Sequence, residues 1–183
     1  KAKVILIERH KMGGDCLNTG CVPSKAILRS AKIAEYMRRA PEFGLAQVLV
    51  EPRFEQIMAR VKQVVADIEP HDSVDRYTQL GVDCMAGEAK IVSPWEVELE
   101  GKVLTARSII IASGARPFVP PIEGLAETGF LTSGSVWSLT ELPKKLVVLG
   151  GGPIGCELGQ AFARLGSDVT IIEMLDRLLI KED

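Results

Sequence analysis

The chain has 183 residues, 46% of them hydrophobic and 25% charged, which is enough apolar material for one large core or two small ones. Its net charge of −2 comes without a basic block, which argues against a nucleic-acid partner, and its apolar runs are too short to span a bilayer. Four cysteines are too sparse for a disulfide-built secreted scaffold and favour a reducing, cytoplasmic compartment.

In chain order, "KVILIE" is a β-branched run closed by Glu8 and predicts a buried parallel strand. "GGDCLNTGCVPSK" follows as a loop carrying Cys16 and Cys21, with Pro23 suited to a helix start. Ile27, Ala31, Ala34 and Met37 recur at helical steps and predict one apolar face, ended by Pro41 and Gly44. A second helix is expected with Phe54, Ile57, Val61, Val64 and Ile68 on one stripe, stopped near Pro70. "GVDCMAG" reads as another strand. "EAKIVSPWEVELEGKVLTA" predicts an antiparallel meander broken by Pro94 and Gly101, and "SIIIASGARP" a buried strand running into a glycine loop. "PPIEGL" and the stretch near Leu142–Pro143 are connections. "KLVVLGGGPIGCELGQAFARLGSDVTIIE" is a complete strand–loop–helix–strand unit, with Ile154, Leu158 and Phe162 on its helix and Gly166 at its end. The fold class is therefore α/β, a parallel sheet with an antiparallel meander.

The clearest motif is Gly150, Gly152 and Gly155, which follows a strand, opens a helix and precedes Glu173 at the next strand's end. Dinucleotide binding needs that full context. The first glycine allows the tight turn, the second lets a pyrophosphate approach the backbone, and the third allows helix–strand packing. Pro153 and Ile154 begin the helix whose N-terminus supplies partial positive charge. Glu8 occupies in the first half the place that Glu173 holds in the second, so two nucleotide-binding halves are expected, the first without its leading strand and glycine loop. The chain thus reads as a piece of a longer protein, and any targeting segment would lie upstream.

Cys16 and Cys21 could be a structural staple, half a metal site, or a redox pair. His10 and His71 are the only histidines, which makes a closed zinc site improbable, and a structural disulfide suits a reducing compartment poorly. A helix start near Cys21 would lower a thiol pKa there and favours reactivity. Cys84 and Cys156 read as inert core thiols, and His10 and His71 as surface histidines.

"GGDCLNTGCVPSK", "VILIERHKMGG", "IIIASGARP" and "LPKKLVVLGGGPIGCELGQAFARLGSDVTIIE", in that order, resemble the class I pyridine nucleotide–disulfide oxidoreductases, a flavoenzyme family that includes dihydrolipoamide dehydrogenase, mercuric reductase and glutathione reductase. The stretch "IEPHDSVDRYTQLGVD" is most like the mercuric-reductase branch. The resemblance implies FAD and NAD(P)H as cofactors on Rossmann-like domains. Residues 1–118 would be FAD-binding, 119–142 connecting and 143–183 the first half of the NAD(P) domain. A C-terminal interface domain bearing the acid–base histidine would be absent.

It implies that Glu8 holds the FAD ribose, that Gly13, Gly14 and Asp15 line its pyrophosphate, and that Ala112, Ser113 and Gly114 make a second flavin contact. Cys21 and Cys16 would form a redox disulfide, with Cys21 against the flavin and Cys16 facing substrate. Lys25 would approach the flavin and pair with Glu157; in a partly buried site, removing one partner would cost about 3–5 kcal/mol. Asp15 stands where the family more often has threonine, and Ser113 where it more often has threonine. An extra negative charge near a pyrophosphate requires Asp15 to be turned away or tied down.

The implied partner is a small-molecule disulfide or a metal ion, with no nucleic acid, no membrane and a homodimer when full length. The piece alone is expected to be inactive, unable to retain FAD stoichiometrically, and prone to aggregate through its open sheet edge. Glu173 predicts NADH over NADPH. A nucleotide-binding redox sensor without steady turnover is the alternative, and a metal-binding module a third, separable by metal analysis.

Overall fold

The computed structural model describes residues 2–180; the last three residues of the predicted nucleotide half, 181–183, lie outside them. The elements run β1 (Val4–Glu8), α1 (Gly14–Asn18), α2 (Cys21–Arg38), α3 (Phe54–Ile68), α4 (Val74–Gln79), β2 (Val82–Ala86), β3 (Ala89–Ser93), β4 (Glu96–Leu99), β5 (Lys102–Thr105), β6 (Lys145–Leu149), α5 (Pro153–Leu165) and β7 (Asp168–Ile172). Strands β1 and β2 pair in parallel, Val4 opposite Val82 and Glu8 opposite Ala86. Strands β6 and β7 pair in parallel with Leu149 opposite Ile172. Between them β3, β4 and β5 form the antiparallel meander. The α/β reading with two parallel units and a meander holds. Among the described residues no helix is long and apolar enough to cross a membrane.

The main core is helical. Ala26, Ile27 and Ala31 of α2, Phe54, Met58 and Val61 of α3, and Ala161, Phe162 and Leu165 of α5 are buried together with Val136. The Phe54 and Phe162 rings lie 5.8 Å apart and tilted by 43°, within the range of favourable aromatic pairs. Ile27, Ala31 and Ala161 are completely inaccessible, so small residues bring α2 and α5 into close contact. Gly159 gives α5 the same closeness to β7, since a Cβ there would stand 3.3 Å from Ile171. The core crosses the boundary expected between the FAD-side and nucleotide-side segments.

Several sequence expectations shift. The "SIIIASGARP" stretch is neither strand nor buried: Ile110 and Ile111 are 91% and 71% exposed. A parallel strand needs neighbours, and among the described residues β1 and β2 pair only with each other. For the same reason Val4 and Ile5 of β1 are exposed rather than buried. Met37 and Ile154 carry the helical period, yet both are exposed; Met37 is the penultimate residue of α2 and Ile154 the second of α5, at helix ends beyond the buried contacts. Met58 takes a core position that the expected stripe left out. Cys84 and Cys156 are half-buried rather than core thiols.

Phe162→Ala should destabilise the chain by about 3–5 kcal/mol through the cavity it leaves. Urea unfolding should show a lower midpoint with an unchanged m-value. A loss under 1 kcal/mol would mean that the helices pack without this ring.

Candidate active site

The cysteine segment is a short helix rather than an open loop. Gly13 and Gly14 have φ of +83° and +55°, a turn other residues rarely make, and a Cβ on Gly13 would collide with Leu17. Leu17, 1% exposed, pins α1 from below. Asn18 reaches back with its amide nitrogen to the carbonyls of Met12 and Gly14, each at 2.9 Å. The Trp137 indole N–H donates to the Thr19 carbonyl at 2.9 Å, holding the inter-cysteine link from 118 positions away. Cys16 rides on α1 and Cys21 is the first residue of α2, both exposed and both free thiols. Hydrogen bonding with the Cys21 thiol pushes the Cys16 pKa above the ordinary thiol value, with smaller contributions from burial and from the Asp72 charge.

Asp15 is tied down. Its carboxylate accepts the Ala115 N–H at 3.4 Å and lies so near Gly114 that a Cβ there would stand 3.2 Å from Oδ2. That contact brings the 112–115 segment against the start of α1. Gly14 faces open space on the same side, and Glu8 closes β1 with its carboxylate accepting the His10 N–H at 2.8 Å. Glu8 and the Gly13–Gly14 turn thus lie past the carboxyl end of the parallel strand β1, the end at which open α/β sheets bind ligands. The arrangement fits a flavin dinucleotide, with Glu8, Gly13, Gly14, Asp15, Ala112, Ser113 and Gly114 available to hold it.

The second nucleotide loop follows the motif's logic. Gly150 turns the chain at φ +104°, and a Cβ on Gly155 would run into the Gly150 carbonyl. Gly150 and Gly152 face open space. Pro153 and Ile154 start α5. The Glu173 carboxylate accepts N–H groups from Gly151 at 2.7 Å, Met174 at 2.7 Å and Leu175 at 3.1 Å. The Gly151 bond is the main cause holding its pKa below the usual carboxylate value.

Lys25 joins the two loops. Its Nζ lies 2.6 Å from both Glu157 oxygens, linking the first turns of α2 and α5. The side chains are 62% and 39% exposed, so the expectation of a partly buried pair is corrected. An exposed pair is worth about 0–1 kcal/mol. Asn18, Trp137 and Gly151 also shape the site, and sequence reasoning passed over all three. Trp137 and Gly151 act through contacts with distant residues, which no local pattern announces.

A strand–glycine-loop–helix unit tied through Lys25 and Glu157 to a segment with two exposed thiols is the pattern of the nucleotide-binding disulfide redox proteins. The family model for pyridine nucleotide-disulphide oxidoreductases matches residues 1–183, and the chain belongs to that family, whose cofactors are FAD and NAD(P)H. It is 38% identical over 182 residues to a mercuric reductase of Lysinibacillus sphaericus, covering 100% of this chain and 33% of the relative. It is 38% identical over 184 residues to a dihydrolipoyl dehydrogenase of Mycoplasma pneumoniae, covering 98% of this chain and 40% of that protein. The HOCl-induced flavoprotein disulfide reductase RclA from Escherichia coli superposes with a TM-score of 0.80 at 30% identity, over 100% of this chain and 39% of that one. The chain thus spans 33–40% of the length of these proteins.

Two outcomes are expected. The alkylation rate of Cys16 in the reduced protein should rise through an apparent pKa above the ordinary thiol value, and Cys21→Ala should bring it down; an unchanged pH profile in that variant would refute the thiol–thiol interaction. A double-mutant cycle of Lys25→Ala and Glu157→Ala should give a stability coupling of about 1 kcal/mol or less.

Proposed function

We propose that the full-length protein is an FAD-dependent NAD(P)H:disulfide oxidoreductase. In this reading electrons leave through the Cys16–Cys21 pair to a small-molecule disulfide or a metal ion. The observation that supports this best is the pair itself: two exposed thiols, one on α1 and one opening α2. Bound FAD would supply hydride acceptance from NAD(P)H and two-electron reduction of the Cys16–Cys21 disulfide.

The chain's own residues account for the rest. The Cys16 thiolate attacks one sulfur of an external disulfide, that S–S bond breaks, and one thiol leaves after protonation. The Cys21 thiolate then attacks the Cys16 sulfur of the mixed disulfide. The second thiol leaves, and the Cys16–Cys21 disulfide closes with two electrons transferred to the substrate. The attacking species is the Cys16 thiolate, so the Cys16 proton leaves before the first attack. Asn18, Trp137 and Leu17 keep the two cysteines in register through both steps, and the Lys25–Glu157 pair keeps α2 and α5 aligned.

NADH is the preferred donor in this reading. Glu173 stands at the end of β7, where an acid accepts the ribose hydroxyls and meets a 2′-phosphate with like charge. At an effective dielectric of about 20, two charges about 4 Å apart repel by about 4 kcal/mol. Screening by solvent reduces this to about 10- to 100-fold in kcat/KM. Exposed Arg177, four positions on, works in the opposite direction.

Reduction of the full-length protein with NADH should convert Cys16 and Cys21 from an alkylation-resistant to an alkylated state, leaving Cys84 and Cys156 unchanged on peptide mapping. No change at the pair would overturn the electron route. The kcat/KM for NADH should exceed that for NADPH at about pH 8, where Glu173 is ionised and a 2′-phosphate carries its full charge, and the gap should narrow as the phosphate takes up a proton near about pH 6. Equal or better use of NADPH would overturn the preference.

A further inference from the structure

Gly151 stands between the first two motif glycines, where the motif leaves the residue type open. Its peptide is nonetheless held on both sides. The N–H donates to Glu173 Oε2 at 2.7 Å, and the carbonyl accepts the Leu179 N–H at 2.9 Å and the Cys156 thiol at 3.3 Å. A Cβ at Gly151 would overlap the Leu178 side chain and stand 3.2 Å from Glu173 Oε2. Its φ lies outside the left-handed region, so a side chain here is opposed by packing alone: Leu178, 46% exposed, can turn aside, whereas Glu173 makes room only by shifting its carboxylate. Gly151 is buried, whereas Gly150 and Gly152 have open space around them.

A glutamate on a free rotamer would swing away from a 2′-phosphate and relieve most of the repulsion. Glu173 cannot swing without breaking backbone bonds, since Gly151 holds Oε2 while Met174 and Leu175 hold Oε1. Met174 and Leu175 lie beside Glu173 in sequence and move with it. Gly151 alone among the three donors belongs to the loop that faces the pyrophosphate, so it fixes the carboxylate relative to the nucleotide. Its N–H is committed to that bond, and Pro153 has none to offer. The anion-binding end of α5 therefore draws on Gly152, Ile154 and later N–H groups.

We propose that Gly151 is the positioning residue for dinucleotide discrimination: its N–H locks the Glu173 carboxylate in place, and its missing side chain lets Leu178 and Glu173 close onto the loop. The proposal rests on the NADH preference argued above.

The test measures dissociation constants of NAD⁺ and NADP⁺ for the full-length, FAD-containing protein, its Gly151→Ala and Leu178→Ala variants, and the double variant. The wild type should bind NAD⁺ more tightly. Gly151→Ala should lower the NADP⁺/NAD⁺ ratio of dissociation constants by about fivefold, the scale of one lost hydrogen bond, with FAD content unchanged. Leu178→Ala alone should leave the ratio near the wild-type value. The double variant should recover part of the ratio, because removing the Leu178 side chain relieves one of the two contacts on the new Cβ while the contact with Glu173 Oε2 remains. A wild-type ratio near one would overturn the NADH preference itself. A wild-type preference that survives Gly151→Ala, equal weakening of both nucleotides, or failure of the double variant to recover would each overturn the role of Gly151 alone.

Discussion

The close packing of α2 on α5 is the constraint on which the rest depends. Each helix begins at a functional loop: α2 at Cys21, α5 at the glycine loop that ends with Gly152. Ala31 and Ala161 are fully inaccessible where the helices meet, and Phe162 and Ile27 fill the space beside them against α3. Close-packed interiors transmit displacement rather than absorb it. The distance between the cysteine pair and the nucleotide loop is therefore set by buried apolar contacts. The Lys25–Glu157 pair at the front of both helices adds alignment more than stability, since water reaches both side chains.

The three acids at the candidate site are handled by one device. Glu8, Asp15 and Glu173 each turn a carboxylate oxygen onto backbone N–H groups, of His10, of Ala115, and of Gly151, Met174 and Leu175 respectively. Backbone donors cannot be titrated away and lose no side-chain entropy, so they fix negative charge at low cost beside the loops proposed to take anions. For Asp15 this removes the objection that a carboxylate in place of threonine would face a pyrophosphate unrestrained. For Glu173 it makes charge placement a property of the loop as well as of the acid.

The cysteine pair is organised by neighbours of a different sort. Leu17 anchors α1 by burial, Asn18 stitches it to the preceding turn, and Trp137 reaches in from a segment with little regular structure. Each thiol stays exposed while the backbone around it is held. A dithiol that must open and close a bond needs both: access for the reacting partner, and a fixed approach of one sulfur to the other.

The sequence by itself determined the two parallel units, the meander, the glycine loop that opens α5 and the place of the two cysteines before and at the start of α2. These are written in local signals: glycines where the chain turns or packs tightly, an acid at a strand's end, apolar residues at helical period. It also named Lys25 and Glu157 as partners, through the resemblance of their motifs. The tertiary structure alone decided what was buried. "SIIIASGARP" is apolar enough for a central strand, yet a strand exists only where another supplies hydrogen bonds, and the hydrophobicity of Ile110 and Ile111 cannot supply a neighbour. Met37 and Ile154 keep the helical period but fall beyond the contact face, because period fixes a direction around the helix and not the reach of its partner. Trp137 and Gly151 matter through residues 118 and 22 positions away. Such contacts are made by the folded chain, and no window of sequence contains both halves.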